Sequence, residues 1–258
     1  MQQISRRKFI SALAGLGILP SVTDAIADVD GRFILQATPG RQQLDPELPG
    51  PTALWTFNGG VPGPLLRVKQ GERLELTFRN GIDQGSAVHW HGIRIDNAMD
   101  GVVGMTQPSV LPGESFEYSF VLPDAGTYWY HAHQHSSEQV GRGLYGILVV
   151  DEQVPPVVDN DIVLALDDWR LDQEGEIHES FGNLHDISHS GRTGNWLTVN
   201  GEGSKTIAAG IGERLRLRLI NTANSLIMPL RLPDQPCWLM ALDGMPLDQP
   251  VPAQTGIT

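Results

Sequence analysis

The stretch Gly71-Glu72-Arg73-Leu74-Glu75-Leu76 recurs later in the chain as Gly212-Glu213-Arg214-Leu215-Arg216-Leu217. In both copies leucine alternates with charged residues, and this period of two is typical of a strand with one buried face. An internal repeat of this kind predicts two copies of one structural unit. Each copy is preceded by Asn-Gly and followed by an asparagine: Asn58-Gly59 and Asn80 in the first, Asn200-Gly201 and Asn221 in the second.

The rest of the chain beyond the N-terminal region fits an all-β fold. Phe116, Tyr118 and Phe120 alternate with polar residues, and turn-forming stretches such as Val61-Pro62-Gly63-Pro64 separate the alternating segments. No segment in this part has a sustained helical period. These features predict antiparallel β-sandwiches.

The repeat also sets the predicted domain limits. We expect one sandwich over residues 31–151, a linker over 152–160 that contains Pro155-Pro156, and a second sandwich over 161–258. In the first copy the chain runs roughly 70 residues past Asn80 to reach a closing strand, whereas only about 37 residues follow Asn221. The second sandwich is therefore expected to be incomplete, as in a fragment or a truncated gene product.

Composition excludes one class of partner. The chain has 258 residues, 40% of them hydrophobic, and a formal net charge of −12. A nucleic-acid partner is not expected, because phosphate binding needs clustered lysine and arginine. Cys237 is the single cysteine, so an internal disulfide cannot form.

The first 27 residues predict an export signal. Arg6-Arg7 precedes an apolar run over residues 11–20, and the stretch ends in Ala25-Ile26-Ala27. This order matches a secretory signal, and the adjacent arginines favour the twin-arginine type. The alternative is a short amphipathic tail. The apolar run is too short for a permanent membrane span. We therefore expect an exported protein in the periplasm, with the twin-arginine machinery as a partner.

Five of the eight histidines lie within fewer than 50 residues. On a strand, residues two apart point to one face, so His89 and His91 project together, as do His131 and His133. Two such strands meeting edge to edge or across a cleft would bring four imidazoles together. One pair alone is more often a hydrogen-bonded surface feature, but two pairs favour a metal site, without specifying which metal.

These motifs resemble a known family. His89-Trp90-His91-Gly92 and Tyr128-Trp129-Tyr130-His131-Ala132-His133, with the later Gly143-Leu144-Tyr145-Gly146, are similar to the first two copper signatures of the laccase-like multicopper oxidases. The resemblance implies tandem cupredoxin-like Greek-key sandwiches.

The resemblance also implies roles for single residues. His89 would bind the type 2 copper, and His91, His131 and His133 the type 3 pair, of a trinuclear cluster that reduces dioxygen to water. Asp100 resembles the acidic residue that helps to deliver protons to this cluster. The alternative for Asp100 is a turn aspartate before glycine.

Other parts of the family pattern are missing from the chain. The family uses eight cluster histidines and a type 1 copper bound by two histidines and a cysteine. No histidine follows Cys237, which we expect to be a small buried apolar residue, and residues 227–232 of the second copy contain no ligand. The resemblance thus implies a parent oxidase that uses dioxygen and a small reducing substrate. It also implies a missing C-terminal cupredoxin domain as partner, and inactivity of this chain alone.

Three alternatives differ from this prediction in function. A two-domain copper nitrite reductase would need a type 1 cysteine within residues 31–151, and that range has none. A two-domain laccase would need further ligands in the second sandwich. A periplasmic copper-binding or cell-envelope scaffold on the same fold would typically lack the histidine pairs.

Four histidines are left outside the predicted site. His135 continues the face of His131 and His133, and we interpret it as a neighbour of the site or a surface residue rather than a ligand. His178, His185 and His189 lie in a polar segment, where solvated loop histidines are the expected interpretation and a labile metal site is the alternative.

Overall fold

A computed structural model describes residues 32–232 and 235–253 of the chain. The predicted export signal, residues 1–27, lies outside the described residues. Among the helices that are described, none is both long and apolar enough to cross a membrane.

The first half of the described chain forms two four-stranded sheets. One sheet has the strand order β2-β1-β4-β6, and the other has the order β3-β8-β7-β5. The strands and the short helix of this half are β1 (Phe33–Gln42), β2 (Thr52–Phe57), β3 (Leu66–Lys69), β4 (Arg73–Asn80), β5 (Val88–His91), β6 (Ser115–Val121), β7 (Gly126–Ala132), α1 (Ser136–Gly141) and β8 (Tyr145–Asp151).

The core of this first sandwich lies between its two sheets. Leu74, Leu76 and Phe78 of β4 are almost fully buried, as the alternation in the sequence predicts. They pack with Trp90 from the opposite sheet and with Tyr118 from β6. The large buried apolar area stabilises the sandwich and holds β5 and β7 in fixed positions.

The second half is smaller, with a three-stranded sheet of order β10-β9-β11 and a separate hairpin. No strand or helix occurs between the end of β8 at Asp151 and the start of β9 at Asn160. The elements are β9 (Asn160–Trp169), α2 (Leu184–Ser188), β10 (Trp196–Val199), β11 (Leu215–Asn221), β12 (Trp238–Leu242) and β13 (Met245–Pro252).

The predicted repeat is visible in the strand pairing. In the first copy β1 pairs antiparallel with β2 and parallel with β4; in the second, β9 pairs antiparallel with β10 and parallel with β11. The pair β3 and β8 is also parallel. The sequence predicted antiparallel sandwiches, and the parallel pairs differ because alternation within one strand does not specify the direction of its neighbour.

The Asn-Gly turns make the same hydrogen bonds in both copies. Asn58 donates its Nδ2 to the carbonyl oxygen of Ile34 at 2.7 Å and accepts from the Gln36 amide. Asn200 donates its Nδ2 to the carbonyl oxygen of Val163 at 3.0 Å and accepts from the amide of Ala165. Each asparagine side chain therefore binds the backbone of the first strand of its copy, β1 or β9.

The leucines of β4 are buried, but in the equivalent strand β11 the buried residue is an arginine. Leu215, Leu217 and Leu219 are only partly buried, whereas Arg218 is 4% exposed. The guanidinium of Arg218 binds Asp161 at 2.7 Å and Thr127 of β7 at 2.8 Å. These partners satisfy the buried charge of Arg218, and its bond to Thr127 joins β11 to the first sandwich.

A second apolar cluster joins the two halves. Tyr145, Ile147 and Val149 of β8 are fully buried and pack against Val163 and Trp169 of β9. Strand β8 is consequently buried on both faces, and the sheet that carries β5 and β7 is covered by the second half.

Candidate metal centre

The two histidine motifs lie side by side on neighbouring strands. Strands β5 and β7 pair antiparallel, with His89 opposite His131 and His91 opposite Trp129. Trp90 points to the other face, where it is fully buried in the core. The period-of-two argument is confirmed for His89 and His91 on β5, and the two strands meet edge to edge, whereas His133 lies just beyond the end of β7.

Three imidazoles converge at one point on this surface. His89, His91 and His131 each offer a ring nitrogen, and these nitrogens all lie within 4.8 Å of one another. Nε2 of His131 is 3.4 Å from Nδ1 of His91. His133 follows the end of β7, with its ring centroid 5.0 Å from that of His89, so it lies at the rim of the group.

Backbone carbonyl groups fix the ring orientation of two histidines. Nδ1 of His89 lies 2.7 Å from the carbonyl oxygen of Asp100, and Nδ1 of His131 lies 3.0 Å from the carbonyl oxygen of Ala132. A carbonyl oxygen only accepts, so both Nδ1 atoms carry the proton. Each Nε2 therefore keeps its lone pair for a metal ion.

The surroundings of His91 and His131 favour the neutral form of these two rings. Burial, together with the neighbouring histidines, lowers the pKa of His131 to about 3, although its bond to Ala132 opposes the shift. Burial and the charges of His89 and His133 also lower the pKa of His91. Metal binding needs the unprotonated imidazole, and the lowered pKa values of His91 and His131 favour that form of these two rings.

A narrow loop places Asp100 beside His89. The carboxylate Oδ1 of Asp100 lies 3.4 Å from Nδ1 of His89, in addition to the carbonyl contact. Gly101 has a φ of +77°, and a side chain there would overlap the carbonyl oxygen of Val88. Glycine is therefore needed for the loop to approach β5 this closely.

Comparisons with known proteins agree with this geometry. A profile described as multicopper oxidase matches residues 41–154. Copper resistance protein A of Pseudomonas syringae pv. tomato is 30% identical over 297 residues, covering 93% of this chain and 48% of that protein. The crystal structure of a multi-copper oxidase from Pseudomonas thermotolerans has a TM-score of 0.83 at 38% identity, covering 88% of this chain and 54% of that one.

The chain belongs to the multicopper oxidase family.

A further solved structure supports the same assignment. Lac15 from a marine microbial metagenome is 43% identical with a TM-score of 0.75, covering 88% of this chain and 57% of that one. The predicted all-β, cupredoxin-like fold is thereby confirmed. The chain spans about half the length of the curated multicopper oxidases and copper resistance proteins it matches first.

The residues present fit the copper that this family binds. Imidazole nitrogen is a good ligand for copper, and the lone pairs of His89 and His131 are directed by their carbonyl partners. His131 is buried and neutral, so its desolvation cost is already met in the fold. The donor set of this multicopper oxidase chain is thus suited to copper.

Two further residues support the cluster and were not predicted. Trp129 packs against both His131 and His91, with ring centroids 4.2 and 5.1 Å apart. Gln139 of α1 is fully buried and bonds to the loop that leads into β5. The period of two in β7 could have indicated Trp129, but no sequence signal marks Gln139.

The remaining histidines lie apart from these side chains. Strand β7 ends at Ala132, so His135 does not continue the strand face; it is exposed, with a φ of +47° at the start of α1. His185 and His189 are exposed on and just after α2, and their rings stack on each other.

Cys237 differs from its predicted environment. It is only partly buried, and its Sγ lies 3.6 Å from the carbonyl oxygen of Ala253. The expectation of a buried apolar cysteine was wrong, because the hairpin of β12 and β13 leaves this position partly exposed.

Proposed function

We propose that this chain supplies one half of the ligand set of a trinuclear copper cluster. The observation that carries the proposal is the convergence of His89, His91 and His131, with ligand nitrogens within 4.8 Å of one another. His133 at the rim supplies the fourth imidazole. Four imidazole donors, three on the paired strands β5 and β7 and one just after β7, form a half-site that is open on one side.

The family pattern assigns these ligands to two kinds of copper. In this proposal His89 binds the type 2 ion, and His91, His131 and His133 bind the type 3 pair. The bound copper ions supply the redox chemistry by which dioxygen is reduced to water. The protein contributes fixed ring orientations, through the carbonyl groups of Asp100 and Ala132.

Asp100 is proposed to hold a proton close to the cluster. Its carboxylate is partly exposed and lies 3.4 Å from the His89 ring. A carboxylate in this position can exchange protons with water and pass them towards the site. The side chain therefore connects solvent to the place where oxygen reduction needs protons.

The parent protein is proposed to be a laccase-like oxidase. It would couple one-electron oxidation of a phenol, an amine or a metal ion to the four-electron reduction of dioxygen. A C-terminal cupredoxin domain would supply the other four cluster histidines and the type 1 copper. Residues 1–27 would direct the protein through the twin-arginine pathway to the periplasm.

We propose that the 258-residue chain by itself does not reduce dioxygen. It provides four of the eight histidines that bind the cluster in the family. In the family, histidines beside the type 1 cysteine carry electrons to the cluster, and no histidine follows Cys237 in this sequence. Electrons from a substrate would have no route to the half-site. Copper binding, rather than turnover, is the activity that this chain is expected to have.

Copper titration of the purified chain tests the proposal. Calorimetry and electron paramagnetic resonance should detect Cu(II) bound to nitrogen, and His131→Ala or His89→Ala should remove the part of this signal that comes from the cluster histidines. His178→Ala serves as the control, because His178 makes no contact with the cluster histidines.

Two outcomes would overturn parts of the proposal. A chain that binds no Cu(II) through His89 and His131, and keeps its stability when both are replaced, would support the scaffold alternative. Oxygen uptake with a laccase substrate by the chain alone would contradict the predicted inactivity.

A further inference from the structure

A second pair of histidines is brought together in the second half of the chain. The ring centroids of His185 and His189 lie 4.1 Å apart, with 26° between the ring planes. His185 is in α2 and His189 caps its C-terminal end, so the spacing is i and i+4. Both side chains are exposed to solvent. The rings therefore share one accessible face.

Hydrogen bonds at both ends stabilise the short helix α2. Asn183 caps the N-terminus, its Oδ1 accepting from the amides of His185 and Asp186 at 2.8 and 3.4 Å. The amide of Gly191 donates to the carbonyl oxygen of Asp186 at 3.0 Å. An ion pair between Arg170 and Asp186 ties the helix to the end of β9. These contacts fix the backbone that carries the two histidines, so the backbone does not have to fold around a ligand.

The hydrogen bonds also leave ring nitrogens free. Nδ1 of His189 lies 3.0 Å from the carbonyl oxygen of His185 and 2.9 Å from Oγ of Ser188. Because the carbonyl can only accept, Nδ1 carries the proton and Nε2 keeps a lone pair. Neither ring nitrogen of His185 makes a hydrogen bond to any residue that the structure describes.

The ring spacing matches two ligands of one metal ion. With metal–nitrogen bonds of about 2 Å, the ligand nitrogens of two adjacent imidazoles lie about 3 Å apart. The two ring centroids lie 4.1 Å apart, so both imidazoles are within reach of one ion once side-chain rotation directs their nitrogens towards it. Two histidines four residues apart can bind one metal ion when both lie on a helix; here His185 lies in α2 and His189 is its C-cap.

We propose that His185 and His189 form a second, solvent-open site for a divalent transition metal. Cu(II) is the tightest-binding ion of the first-row series for nitrogen ligands. Water completes its coordination, since no third protein ligand within the described residues joins the pair. The net charge of −12 attracts cations to the surface. This site is separate from the cluster and does not depend on the proposed oxidase function.

Titration of the full chain with Cu(II) alone tests this inference. The wild-type protein should bind more Cu(II) than the double variant His185→Ala/His189→Ala by one ion per chain. The electron paramagnetic resonance spectrum of the double variant should lack the signal of the nitrogen-bound Cu(II) ion at this second site. His178→Ala is the matched control, since it removes a histidine of the same segment, and it should leave the stoichiometry unchanged.

The double variant also separates this site from the cluster. Both side chains are exposed, so circular dichroism and the melting temperature should match the wild type. Loss of the cluster signal in His131→Ala should leave the second site intact. The inference is wrong if the double variant binds as much Cu(II) as the wild type, or if His178→Ala loses the same ion.

Discussion

Nδ1 of His89 donates to the carbonyl oxygen of Asp100 at 2.7 Å, so a backbone group rather than a carboxylate sets the orientation of this imidazole. The carbonyl reaches His89 because Gly101 lies directly against Val88. Whatever displaces this loop therefore turns the lone pair of His89 away from the other rings.

Gly101→Ala should weaken copper binding. The new methyl group would overlap the carbonyl oxygen of Val88, and the positive φ adds strain of roughly 1–3 kcal/mol. Isothermal titration with Cu(II) should give a higher dissociation constant than in the wild type. Gly104→Ala is the control: Gly104 has a similar φ of +80° in the same loop but open space around it. Equal copper affinity in both variants would contradict the role of Gly101.

Gln139→Met should affect both stability and copper affinity. Gln139 accepts from Ser86 Oγ at 2.8 Å and donates to the oxygens of Gly85 and Gln84 at 2.9 and 3.3 Å. Loss of these buried bonds should lower the free energy of unfolding by roughly 1–3 kcal/mol. It should also loosen the approach to β5 and so weaken Cu(II) binding. Urea unfolding and calorimetry measure the two effects.

Gln42→Met provides the matched control for Gln139. Gln42 also makes three hydrogen bonds, with Val61 as donor and acceptor and with the carbonyl oxygen of Gly201. It joins the two halves at a place that has no contact with the histidines. A comparable loss of stability with unchanged copper affinity is expected. If both variants weaken copper binding equally, the effect of Gln139 is general destabilisation.

Tyr118→Phe should destabilise the strand that carries His89. The hydroxyl of Tyr118 accepts from the Val88 amide at 3.0 Å and donates to Oε1 of Gln107 at 3.0 Å, in the core. Removing it leaves two buried polar groups unpaired, at a cost of roughly 1–3 kcal/mol. Thermal unfolding measures the loss. Tyr128→Phe, whose hydroxyl is only part-buried, should change stability less, and the reverse order would argue against this account.

Asp161 should make stability depend on acid pH. Burial by itself raises the pKa of Asp161, but hydrogen bonds and charge from Arg218 and Arg67 outweigh burial and hold the pKa below its ordinary value. A depressed pKa contributes stability above the pKa of the unfolded chain and loses it as the pH falls through the folded pKa. Asp161→Asn should therefore lower the free energy of unfolding at pH 7, on the order of 3 kcal/mol, since Arg218 loses a buried partner.

The difference between Asp161→Asn and the wild type should begin to shrink below about pH 4, where the carboxyl group of the unfolded chain becomes protonated, and should shrink further as the pH falls through the lower folded pKa. Urea unfolding at several pH values measures this convergence. Asp124→Asn is the control, because Asp124 also binds an arginine through both oxygens, but Arg94 is 76% exposed. Its effect should be much smaller, since Arg94 stays hydrated. A constant gap across the pH range would exclude the ion pair as its cause.

Much of the cluster follows from the sequence because strand geometry is local. The alternation in β5 determines that His89 and His91 share a face and that Trp90 enters the core. The same period in β7 places Trp129 beside His131. What the alternation could not specify was that the two strands pair directly, with His89 opposite His131.

The supporting residues could not be predicted because they depend on distant parts of the chain. Gln139 bonds to residues more than 50 positions earlier. In β11 the alternation of leucine and arginine predicts two faces but not which one is buried, and Arg218 is buried because Asp161 and Thr127 receive it. The pairing of His185 with His189 requires a helix of only five residues, too short to give a periodic signal.

Two of the three Asn-Gly steps in the chain lie at the corresponding turns of the two copies, and both are open to the same chemical change. Side-chain amides hydrolyse most readily before glycine, and Asn58-Gly59 and Asn200-Gly201 both have this sequence. Conversion to aspartate would put a carboxylate oxygen against the carbonyl oxygens of Ile34 and Val163, where an amide now donates. Prolonged storage at high pH should therefore convert both asparagines to aspartate. The contacts that hold β1 and β9 would then weaken at corresponding positions.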